Sequence, residues 1–316
     1  MTQIHRVEYD SIGGPEVLHW REVTLAPPGP GEVQIKTLGA SVNPIDAKIR
    51  AGKLAPLPLA FPAQSGRDGM GQVTALGPEV DPAWLGQRVC YLMPRGPMGS
   101  WAEAVNLPVA LLAKVPDGLP DLTAAALPLA GLSALAVLEA GGIEPLGEAD
   151  DLRILLHAAA GGVGRIVLQL ARLAGASVHC TASEANRQRL MALGAAKVWA
   201  YDTGEDFRAA RDLDLVIDLM GGALHEESYP CLRQGGVMAC LNAAPFTDRA
   251  AEFGVTTKIA EVAPNPARLE LLLDLAAQGH LKPGPALTLP ARDFAKAHSL
   301  IETGHLSGKL VLDFRS

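Results

Sequence analysis

The residues whose types and spacing carry the clearest chemistry lie in Arg153–Ala174, RILLHAAAGGVGRIVLQLARLA. A short apolar run, Ile154–His157, breaks into Ala158-Ala159-Ala160-Gly161-Gly162-Val163-Gly164. Ile166, Val167, Leu170, Ala171 and Leu173 then recur at helical spacing. Strand, glycine turn and helix in that order form the setting in which a glycine motif cradles phosphate. Gly161 lets the backbone approach a pyrophosphate, and Gly164 lets the helix pack close on the strand. The N–H groups along Ala160, Gly161, Gly162, Val163 and Gly164 and the positive end of the helix then face the phosphates. Ala159 stands where the first glycine would be, so the pattern is AxxGxxG from Ala158. A tight turn in any α/β protein is the competing explanation. The flanking strand and helix favour dinucleotide binding.

The second chemical position is the end of the following strand, His179-Cys180-Thr181-Ala182-Ser183. An NAD-binding unit closes this strand with an acid that grips the ribose 2′-OH, and an NADP-binding one avoids it. No acid closes it here. Ser183 can donate to a 2′-phosphate, and Arg187 adds a positive charge one helical turn on. Glu184 lies near the spacing of a ribose-binding acid, but a glutamate in a first helical turn is also favoured by the dipole. The expected cofactor is NADPH, with NADH second.

These positions need a scaffold. Residues 1–120 read as β-rich and irregular, with alternating runs such as Val33–Thr37 and Gln87–Leu92 between Pro/Gly turns, which suggests a small barrel-like domain. Leu122–Ala140 reads as one helical stretch. From there strands and helices alternate: strands at Ser177–Ala182, Lys197–Tyr201, Leu213–Leu219, Gly236–Leu241 and, more weakly, Glu252–Ile259, with a helix over Glu184–Leu193. That alternation means a parallel sheet with crossovers. Helices at Leu269–Gln278 and Ala291–Glu302 and a strand at Lys309–Phe314 follow. The length of 316 residues is too long for one ordinary core and suggests two domains. The net charge of −7 argues against a nucleic-acid partner. No apolar run is long enough to span a bilayer and MTQIHRVEYD has no signal-peptide core, so a cytoplasmic protein is expected. Cys90, Cys180, Cys231 and Cys240 form no CxxC pair and read as buried thiols.

Many short stretches together carry a family resemblance: SVNPIDAKIRAG (41–52), GRDGMGQVTALGPEV (66–80), GQRV (86–89), WAEAV (101–105), VPDGL (115–119) and AAALPLAGLSAL (124–135). Further on come HAAAGGVGRIVLQLARLAGA (157–176), LGAAKVWAY (193–201), VIDLMGG (216–222), GGVM (235–238) and AHSLIETGHLSGKLVL (297–312). The chain resembles the zinc-independent medium-chain dehydrogenases/reductases of the quinone oxidoreductase (zeta-crystallin-like) group. The resemblance implies an α/β fold, a Rossmann doubly wound parallel sheet inserted in a GroES-like β-rich catalytic domain. The implied division is 1–124 GroES-like, 125–262 Rossmann and 263–316 a return to the catalytic domain, with the cofactor in the cleft between domains.

The resemblance also places residues. Asn43, Asp46 and Lys48 fall near the nicotinamide end: Asn43 to bond the nicotinamide ribose or a substrate carbonyl, Lys48 to stabilise charge on oxygen or relay a proton. For Asn43 the competing explanation is a turn, and for Lys48 a solvated charge. Ser133 stands where relatives have a cofactor-contacting Thr, Tyr201 lines the adenosine side, Asp68 matches an acid beside the cleft, and Lys309 belongs to a tail that approaches the cofactor. Zinc-dependent relatives have a Cys where Asn43 stands and a His-Glu pair near Arg67-Asp68. These residues, and histidines without metal spacing, are not a zinc set, and no metal is expected. The expected reaction is hydride transfer from NADPH to a small electrophile: a quinone first, or the C=C bond of an α,β-unsaturated carbonyl. A non-catalytic NADPH-binding protein is the alternative from another class. No membrane partner and a homodimer are expected.

Overall fold

The computed structural model describes residues 1–54, 60–94, 96, 98–144, 147–241 and 244–315. The chain divides into two compact units, Met1–Leu129 with Ala263–Ser316, and Ala130–Val262. The first division falls inside the helix Pro128–Ala140, a few residues beyond 124/125.

In the first unit, alternation makes strands. Along Glu32–Val42, Val33, Ile35 and Thr37 turn inward and Gln34 and Lys36 do not. Among the described residues the larger sheet runs Pro285–Pro290, Lys309–Asp313, Glu32–Val42, Asp68–Leu76, Arg88–Leu92, Leu112–Lys114, and Ala104–Pro108 also pairs with Glu32–Val42. Only the first of these pairings is parallel. A smaller sheet joins His19–Leu25, Thr2–Tyr9 and Ala63–Gln64. One core gathers Val33, Ile35, Val73, Val89, Tyr91 and Leu107, and another Tyr9, Trp101, Phe294, Ala297 and Leu310. In the register of the tail strand, Leu310 faces Val42, so Lys309 arrives beside Asn43.

Among the described residues of the second unit six parallel strands follow in sequence: Arg153–Leu156, Ser177–Ala182, Lys197–Ala200, Leu213–Asp218, Leu232–Cys240 and Thr256–Ile259. Across the sheet they stand third, second, first, fourth, fifth, sixth. This is the doubly wound order, and direction reverses between Arg153–Leu156 and Leu213–Asp218, where such sheets bind ligands beyond their carboxyl ends. The helix Gly162–Leu173 buries Ile166, Val167, Leu168, Leu170 and Ala171, each large side chain contributing about 1.5–3 kcal/mol. The expected fold class, a doubly wound parallel sheet inserted in a β-rich unit, is the one observed. Among the described residues no helix is long and apolar enough to cross a membrane.

Three local expectations are corrected. The stretch Leu122–Ala140 is two helices, Asp121–Ala125 and Pro128–Ala140, because Pro128 offers no N–H and disfavours helical backbone at Leu127. Within the expected strand Glu252–Ile259, the first residues belong to the helix Ala250–Phe253. Left-handed Gly254 (φ 63°) ends that helix, and the strand is Thr256–Ile259. The expected helix Glu184–Leu193 opens with a tighter turn, Glu184–Asn186, before Arg187–Ala192.

Candidate functional site

The glycine turn lies at the reversal point of the parallel sheet. After Leu156, Ala158 takes left-handed backbone (φ 54°), a strained state for a residue with a β-carbon. Gly161, which has no side chain to bond the helix end, then caps the helix Gly162–Leu173 in extended conformation. The first-turn N–H groups are thereby left for a ligand. The glycines differ in what surrounds them. Among the described residues a β-carbon on Gly161 would meet only Ala158 O, at 3.3 Å, whereas one on Gly164 would strike Ala158 O at 2.3 Å and Ala159 Cα at 2.7 Å. Gly161 therefore has one tight backbone neighbour that must yield by a few tenths of an ångström, while Gly164 lets the helix sit on the turn. The turn fits a bound pyrophosphate. Ser133 is buried on the helix Pro128–Ala140.

At the end of the second strand Arg187 is engaged on three sides. Its Nε donates to Glu184 Oε2 at 2.7 Å, and its two terminal nitrogens donate to Val198 O at 2.8 Å and Glu205 Oε1 at 2.6 Å. Glu184 N–H donates to Asp202 Oδ1 at 2.7 Å, and Asn186 Nδ2 to Ser183 Oγ at 2.9 Å. Tyr201 is 66% exposed, open to contact from outside.

The other candidate residues meet in the first unit. Asn43 precedes the helix Pro44–Arg50, which Pro44 starts at its first position; Asp46 folds back so that its carboxylate accepts from Asn43 N–H at 2.8 Å. Asn43 Nδ2 donates to Ser41 Oγ (3.1 Å) and Asp68 Oδ1 (2.9 Å). Ser41 Oγ donates to Asp68 (2.7 Å), and Asp68 also accepts from Leu129 N–H (2.9 Å). Lys309 Nζ donates to Asn43 Oδ1 at 2.5 Å and Val42 O at 3.2 Å. All five side chains are buried. Burial, with the Asp68 charge beside it, pushes the Asp46 carboxyl up to about 7, and its Oδ1 has no partner among the described residues. Burial likewise lowers the Lys309 ammonium from its usual range. Arg67 turns to Met93 O. Lys48 is half-buried on the same helix as Asp46.

This cluster can hold an amide in one orientation, place a cation beside it and exchange a proton near neutrality at Asp46. Ser41 was not read from the sequence: a serine in a strand carries no signal of its own, and its partner Asp68 lies on another strand. His157, His225 and His298 are buried. His157 bonds Thr181 and Ser228, and burial takes it down to about 4. The four cysteines are buried free thiols, each pushed up by burial. Among the described residues no three His, Cys, Asp or Glu side chains are grouped to hold a metal ion.

Residues 29–117 match the family described as the alcohol dehydrogenase GroES-like domain, and residues 193–312 the family described as zinc-binding dehydrogenase. A quinone oxidoreductase of Pseudomonas aeruginosa is 30% identical over 97% of this chain and 98% of its own length. A 2-haloacrylate reductase of a Burkholderia species is 31% identical over 95% and 96%. The solved Escherichia coli quinone oxidoreductase, complexed with NADPH, superposes with a TM-score of 0.87 at 28% identity over 98% of this chain and 99% of that one.

Proposed function

The chain belongs to the medium-chain dehydrogenases/reductases, in their quinone oxidoreductase group, and from that premise we propose that it reduces a quinone with NADPH and without zinc. A nicotinamide cofactor supplies the hydride. The backbone of Ala160–Gly164 would hold its pyrophosphate, Ser183, Arg187 and Tyr201 would meet its adenosine end, and Ser133, Asn43 and Lys309 would serve further along. Asn43, fixed by Ser41, Asp68 and Lys309, would orient the nicotinamide ribose or the acceptor carbonyl. Lys309 would stabilise negative charge growing on the acceptor oxygen. Asp46, with a carboxyl near 7, would supply or buffer the proton that follows. Lys48 is the second candidate for that charge.

The observation that carries this reading is the Lys309–Asn43 contact. An ammonium sits on the one amide oxygen a cation would take, and the other neighbours are the Ser41 hydroxyl and the Asp46 and Asp68 carboxylates, with no thiolate or imidazole beside them among the described residues. That donor set does not fit zinc, despite the matched family's description.

Reduction of an activated C=C bond is the second reading, favoured by the haloacrylate reductase relative. A substrate panel separates the two. NADPH oxidation with quinones at a kcat/KM well above that for enones supports the first, the reverse order supports the second, and no oxidation with either favours a non-catalytic role.

A further inference from the structure

We infer that Glu205 is a cofactor-selectivity residue: by holding Arg187 against the third strand it keeps that guanidinium from a 2′-phosphate and narrows the preference for NADPH over NADH. The inference rests on the nicotinamide-dependent reading above.

Arg187 follows the second strand of the doubly wound sheet, where the choice between a ribose 2′-OH and a 2′-phosphate is made. An arginine there favours the phosphate only if its donors are free to turn to it. Here Nε is on Glu184, one terminal nitrogen on Glu205 and the other on Val198 O. Glu184 is on Arg187's own helical turn and moves with it. Glu205 comes from the loop after the third strand, where its other oxygen accepts from Ala200 N–H at 3.2 Å. It is therefore an anchored partner that orients the guanidinium toward Val198. The bonded group sets Glu184, Asp202 and Glu205 against Arg187, with Lys197 also acting on Glu205. Carboxylates outnumber cations, which suits a hydroxyl better than a phosphate dianion. Glu184, about twenty residues after Gly164, stands at the spacing of a ribose-binding acid.

Exposed ion pairs are individually weak, so the expected effect is several-fold. In Glu205→Gln the amide oxygen can still accept from Ala200 N–H while its charge on Arg187 is gone. NADPH and NADH are titrated by fluorescence against the parent, Glu205→Gln, Arg187→Ala and the double variant, with thermal melts as the folding control.

The expected result is that Glu205→Gln tightens NADPH about fivefold, leaves NADH within about twofold, and loses the gain when Arg187 is also removed. Equal changes for both nucleotides, no change, or a gain that persists without Arg187 overturns the role of Glu205. A parent that binds neither nucleotide overturns the underlying reading itself.

Discussion

Lys309 and Asn43 lie 266 positions apart in sequence, and the lysine ammonium donates to the asparagine amide oxygen at 2.5 Å. That contact assigns the amide its orientation: with Oδ1 taken, Nδ2 must point to Ser41 and Asp68. The tail strand thus completes a cluster begun by the strand Glu32–Val42.

Removing the ammonium tests its part. Lys309→Met should lower quinone turnover on the order of 100- to 1,000-fold, the range for losing one fixed donor near developing charge. NADPH affinity should change by no more than about threefold, and Lys48→Ala should reduce turnover less. A Lys309→Met protein that loses cofactor binding but turns over normally at saturation would make Lys309 a cofactor ligand only.

The two glycines of the turn should respond differently. Gly161→Val meets the protein only at Ala158 O, 3.3 Å away among the described residues, and should raise the NADPH dissociation constant steeply with a smaller loss of apo melting temperature than Gly164→Val. Gly164→Val meets Ala158 O and Ala159 Cα in the protein itself and should cost at least about 1–3 kcal/mol of stability. Titration and melts on both variants check this. Unchanged NADPH binding in Gly161→Val would remove the turn from the cofactor site.

Asp46 sets a pH dependence. Its folded pKa, about 7, lies above the usual value of 3.8, so the folded state holds this proton more tightly than the unfolded chain. The contribution is fully present below about pH 4 and is lost, at about 1.4 kcal/mol per unit, as pH rises toward 7. Asp46→Asn lacks this loss. Its stability relative to the parent should therefore improve by roughly 2–3 kcal/mol between pH 5 and 7. Denaturant titrations at both pH values measure it, and a constant difference would mean that Asp46 stays ionised throughout.

The parallel sheet and the glycine turn were legible because their signals are local. Apolar runs such as Leu213–Asp218 are buried on both faces, and Gly161 and Gly164 fall between strand and helix. The strand His19–Leu25 was missed because its residues alternate between exposed and half-buried, with Arg21 and Glu22 in its middle. Pro285–Pro290 begins and ends in proline, which argues against a strand except at the edge it occupies. The site was legible only as separate residues. Nothing near Asn43 names Lys309, and nothing near Arg187 names Glu205, because register and loop packing bring those partners together.

The most direct test is NADPH oxidation followed by absorbance after protein treated with chelator is mixed with a quinone. Hydride transfer that needs only the chain's own residues predicts turnover equal to that of untreated protein and no gain on adding zinc. Activity lost to the chelator and restored by zinc, or no NADPH oxidation with any quinone, would contradict it.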